Sequence, residues 1–202
     1  RDQGLSDSLT KFRNTINYST SALAATLENS YWLRTVGGDL DHFMESRGKM
    51  DYRPNQSLTN LLQYTFSKRK DHDGTDYQYA DLVQRLTYSF YTRVGVYSKP
   101  LEISEEFNYN KTTTINSGVT SEGTTKRFTL SARYYPVRFL LLGLTSRFSF
   151  IEPGGIFEQA YEGVMALTFR KFQASLNYSY GRRNELGGII EKRLSANVKK
   201  FF

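Results

Sequence analysis

Cysteine is absent from this 202-residue chain, so it holds neither a disulfide nor a thiolate metal site, and redox logic assigns it no compartment. Histidine is nearly absent too. His42 and His72 are the only two, which leaves little material for imidazole catalysis or metal ligation. The longest apolar run is Phe139 to Leu144, with Gly143 inside it. A spanning helix needs about 20 apolar residues, so a helical membrane protein is excluded. No Ser/His/Asp spacing, phosphate loop or cofactor fingerprint occurs, and no cofactor is expected. The first residues, Arg1-Asp2-Gln3-Gly4, carry neither an initiator Met nor an apolar signal core. They read as a mature or truncated start.

What the chain does have is alternation. Aromatics make up 15% of it, with 15 Tyr and 14 Phe, and Ser and Thr are frequent, a mix that favours strands. Leu58, Leu62, Tyr64 and Phe66 face away from Thr59, Gln63 and Thr65. Phe128, Leu130, Ala132 and Tyr134 alternate with Arg127, Thr129, Ser131 and Arg133, and Leu140, Leu142, Leu144, Phe148 and Phe150 share one face. The last ten residues, RLSANVKKFF, put Leu194, Ala196, Val198 and Phe202 on one side of a strand. Period two wins over period 3.6, so the chain is read as all-β. Ten strands are expected, at 24–36, 39–52, 57–69, 77–97, 101–114, 124–135, 138–151, 157–170, 172–183 and 188–202. Residues 9–18 are strand-like as well, so 1–22 are read either as a periplasmic or plugging segment or as an additional strand ahead of a 23–202 unit.

The connections fall into two sets. One is short and aromatic-led, as in Tyr52-Arg53-Pro54-Asn55, Tyr97-Ser98-Lys99-Pro100, Tyr134-Tyr135-Pro136 and Phe169-Arg170-Lys171. The other is polar and glycine-bearing, and longer loops are expected at Lys68 to Asp76 and Thr112 to Thr125.

This pattern resembles the bacterial outer-membrane β-barrels, the porin-like class, over about residues 23–202. The resemblance implies a transmembrane antiparallel up-and-down barrel of about ten strands, with twelve or membership of a larger barrel as alternatives. It implies apolar faces to lipid, polar faces to the lumen, a Gram-negative outer-membrane location, and Phe202 as the assembly signal. Lys200 departs from it, standing at a lipid-facing position near the strand end, where a lysine can snorkel to the interface. The partners implied are outer-membrane lipid, the barrel-assembly machinery and small anionic solutes. A soluble sandwich, barrel or solenoid would show the same one-sided strands. Strand length, loop asymmetry and the terminal Phe favour the membrane barrel.

With that parity the inward bases are Arg69, Arg85, Arg93, Arg127, Arg133, Arg147, Arg170, Arg183, Arg193 and Lys199, against the acids Asp81, Glu102, Glu106, Glu162 and Glu191. The expectation is a basic, anion-favouring lumen and a small channel. Charges pairing across strands would instead plug a narrow bore, leaving a membrane anchor or a scaffold for a partner assembly. The net charge of +7 is spread singly along strands, which argues against nucleic acid. A third reading is a hydrolase using Asp41-His42 or Asp71-His72-Asp73, in loose likeness to the Asp/His arrangement of outer-membrane proteases. A divalent-ion site at Asp71, His72, Asp73 and Asp76 is the weakest reading, since such loop residues are ordinarily solvated. The expectation is therefore no enzyme and no metal.

Overall fold

The computed structural model describes residues 8–36, 39–90, 101–137, 139–169, 172–184 and 188–200. They form one eleven-stranded sheet whose strands follow one another in sequence order, every neighbouring pair antiparallel. The strands are β1 (Ser8–Ser19), β2 (Leu23–Val36), β3 (Asp39–Tyr52), β4 (Leu58–Lys70), β5 (Asp76–Phe90), β6 (Leu101–Asn116), β7 (Val119–Val137), β8 (Leu140–Glu152), β9 (Ile156–Phe169), β10 (Phe172–Arg183) and β11 (Ile189–Lys200). The chain is all-β and up-and-down. Ten of these are the expected strands with shifted ends. The eleventh is β1, which pairs along its whole length with β2. Within the described residues β1 has β2 as its one neighbour and β11 has β10, and the sheet is not closed.

Turn chemistry sets the hairpins. Ser117 and Gly118 both have positive φ, 50° and 81°, the two-residue geometry whose twist suits a hairpin. Asn55 Oδ1 accepts hydrogen bonds from the backbone N–H of Ser57 (2.8 Å) and Leu58 (2.9 Å), closing the turn before β4. Register shifts between Tyr134 and Val137, where Pro136 brings no ladder N–H.

The expected long loops are a correction. Thr112 to Thr125 is almost entirely strand, interrupted only by the Ser117-Gly118 turn, and Lys68 to Asp76 shrinks to the turn 71–75. Ser, Thr and Asn suit both loops and solvated strands, and cross-strand pairing made these segments ladder. The described connections therefore lack the predicted difference in length between the two ends.

Directly opposed residues in an antiparallel ladder share a face, so the register sorts every side chain. One face carries Leu140, Leu142, Leu144, Phe148 and Phe150 of β8, opposite Leu130, Ala132 and Tyr134 of β7 and Met165 and Leu167 of β9. The same face continues through Leu176 and Tyr178 to Ala196 and Leu194. No hydrophobic side chain is buried among the described residues, whereas Thr75, Ser89 and Ser149 are. The apolar face is left bare: Leu144 is 68% exposed, Leu194 68% and Val198 65%.

Candidate functional site

The other face holds the chemistry. Register places Arg69, Arg85, Arg127, Arg133, Arg147, Arg183, Arg193 and Lys199 together on it. Arg93, Arg170 and Phe202 lie outside the described residues. The same register adds Lys11, Arg13, Arg34, Arg47 and Lys49, and with them Glu28, Asp41, Glu45, Asp51 and Glu158. The additions are as acidic as they are basic, so the charge excess of this face is proportionally smaller than the shorter inventory implied.

Many of these charges meet each other. Arg85 sits opposite Glu106, its Nε donating to Oε2 at 2.7 Å. Arg183 reaches the directly opposed Glu158 at 3.2 Å, and Arg133 lies 4.0 Å from Glu102. Arg13 and Glu28 pair at 3.0 Å. Arg127 Nε donates to Ser149 Oγ at 3.3 Å. No ion pair is found for Arg147, Arg193 or Lys199 among the described residues. Charged pairs also rim the apolar face at the hairpin-tip end: Lys68–Asp76 at 3.0 Å, Lys111–Glu122 at 3.1 Å and Lys126–Glu152 at 3.7 Å.

The histidines part company. His42 is on the apolar face, its Nδ1 3.0 Å from the Tyr31 hydroxyl. His72, in the turn between β4 and β5, turns to Asp41 rather than to its sequence neighbours. Asp41 Oδ1 accepts from the His72 backbone N–H at 3.0 Å and lies 3.2 Å from its Nδ1. Asp73 accepts from the Thr75 backbone N–H at 2.8 Å, which holds its carboxyl below the usual range. Asp71 pairs with Arg69 at 2.5 Å and Asp76 with Lys68. The four residues weighed as an ion site are thus each committed to a protein partner, and no cluster of three metal-ligating side chains occurs among the described residues.

One constellation was not anticipated. Along the polar face Lys11, Trp32, Phe43 and Arg69 are successive cross-strand partners on β1 to β4, with Leu9, Arg34 and Asp41 as the next row. The Trp32 and Phe43 rings lie 4.2 Å apart at 34°, and Lys11 Nζ stands 5.2 Å from the indole centroid. Leu9, Trp32, Arg34, Asp41, Phe43 and Arg69 line a recess of about 390 Å³. Trp32 Nε1 is buried without a hydrogen-bond partner. The available signal was parity: Trp32 and Phe43 are large aromatics on the polar side of their strands.

No protein-family model matches the sequence, and no curated protein does. Among solved structures the chain is similar to the NanC porin in a rhombohedral crystal form, at 10% identity and a TM-score of 0.49, with 97% of this chain and 99% of that one covered.

Proposed function

We propose that this chain is a bacterial outer-membrane β-barrel working as a porin-like channel, its polar face turned to a lumen with modest anion preference. The observation that carries this reading is the inverted burial. A sheet with a continuous apolar face and, among the described residues, no buried hydrophobic side chain needs an apolar surrounding, and lipid supplies one. In hydrocarbon every backbone donor and acceptor must be paired, so the sheet closes on itself. Strands of 12 to 19 residues exceed the roughly 9–11 needed to cross. The charged pairs at the hairpin-tip end of the apolar face mark where the wall leaves the bilayer. On the polar face Arg147, Arg193 and Lys199, which form no ion pairs within the described residues, supply the anion preference.

Planar-bilayer conductance of the refolded protein under a salt gradient tests the proposal. Discrete steps with a reversal potential on the anion side are expected. Insertion without conductance would replace the channel with an anchor or scaffold, and a folded protein that stays in water without detergent would remove the barrel.

A further inference from the structure

We propose that the recess between β1 and β4 is a binding site for small aromatic carboxylates. The argument rests on the face being luminal only for the route by which such a solute arrives; the binding chemistry belongs to the recess itself.

Three features select this ligand class. The Trp32–Phe43 pair gives an aromatic wall in a cavity of about 390 Å³, room for one substituted ring, and planar rings gain by offset or tilted contact with such a wall. Arg34 lines the same recess and has no ion-pair partner among the described residues. Its cross-strand neighbour Asp41 is engaged by His72 instead, through both the backbone N–H and Nδ1. That leaves a planar guanidinium free to take a carboxylate bidentately. Lys11 flanks the aromatic wall in the same row, with Arg69, itself paired to Asp71, on the other side. Arg34 and Lys11, which form no ion pairs among the described residues, beside one acid already engaged by His72, favour an aromatic anion over a neutral ring, and the aromatic wall favours it over a small anion with nothing to stack.

The probe is 4-fluorobenzoate, followed by ¹⁹F line broadening against the detergent-refolded protein. Trifluoroacetate and 4-fluorobenzyl alcohol serve as controls for the missing ring and the missing charge. Saturable broadening with 4-fluorobenzoate is expected, about tenfold weaker in Arg34→Gln because a charge-assisted bond is lost. Both controls should bind at least as weakly as that variant, and Arg53→Gln, in the turn before β4 and paired with Asp51, should bind like the parent. Trp32 is the only tryptophan, so its emission reports the same titration independently. Absence of saturable broadening, or equal binding by Arg34→Gln or by either control, would overturn the site. Arg34 is exposed on the polar face, so its replacement leaves folding intact, and folding is checked on the same sample by heat-shifted gel mobility. A preparation that inserts into vesicles but binds nothing defeats the site alone. One that binds but does not insert defeats the barrel.

Discussion

Replacing Leu176 by arginine is the sharpest probe of which face meets lipid. Leu176 lies on β10 between Met165 and Ala196, on the apolar face, and is 39% exposed. It stands four residues above Phe172 at the strand's lower end, about 13 Å along a strand rising 3.3 Å per residue. A tilt near 45° turns that into about 9 Å of depth, inside the middle of an apolar band about 25 Å tall. Arginine at such a depth costs about 2–4 kcal/mol, which is about 30-fold to 700-fold in the folding equilibrium. Asn177 is the matched control. It is one residue away at nearly the same depth, but faces the other way, opposite Val164 and Ser195. Asn177 is half-buried on the polar face, where an arginine can reach water, so Asn177→Arg should cost under about 1 kcal/mol. Urea titration of folding into lipid vesicles, read by heat-shifted gel mobility, measures both. Equal losses for the two variants, or none for Leu176→Arg, would refute the assignment of the apolar face to lipid.

Other outcomes follow from the same geometry. Gly118→Val puts a β-branched side chain at φ +81° and should cost about 1–2 kcal/mol, seen as faster amide exchange at the β6–β7 tip. Arg85→Gln breaks a pair whose arginine is 52% exposed, so a double-mutant cycle with Glu106→Gln should return about 0.2–1 kcal/mol. Reversing Arg127 and Arg133 to Glu should move the reversal potential toward cations; an unchanged potential would show that these side chains do not line a conducting path. The Asp73 carboxyl is depressed by the Thr75 N–H, so its stabilisation of the 71–75 turn is complete above the ordinary carboxylate value of 3.8 and fades as pH falls through the lower folded value. Protection of the Thr75 amide should decline over that acidic window, and in Asp73→Ala it should be low at every pH.

Period-two alternation made the strands and the two faces legible, because side-chain direction in a strand is a local property. Leu142 and Arg133 could be assigned to opposite sides from sequence alone. Register was not legible. Nothing in Asp71-His72-Asp73 indicates that His72 turns to Asp41, thirty-one residues back, since that contact depends on how β3 and the β4–β5 turn are brought together. The polar tract 112–125 misled for a different reason: Ser and Thr pair as strand residues once a neighbouring ladder is present, and only Ser117-Gly118 marks the true turn. The inward acids Glu28 and Glu45, with the bases Arg13 and Arg47 beside them, were not legible, because the alternation of β1 to β3 is too weak to assign a face from sequence.

The strand count has a topological consequence. Eleven antiparallel strands make β1 and β11 run in the same direction, so Ser8 and Lys200 sit at opposite ends of the ladder. In a bilayer these two ends face different compartments. In vesicles carrying the inserted protein, cleavage sites introduced just ahead of Ser8 and just after Lys200 would then be cut from opposite sides of the membrane. The odd count of described strands thus makes the wall a polarity marker: whatever is joined to its first strand and whatever follows its last lie on opposite sides of the wall.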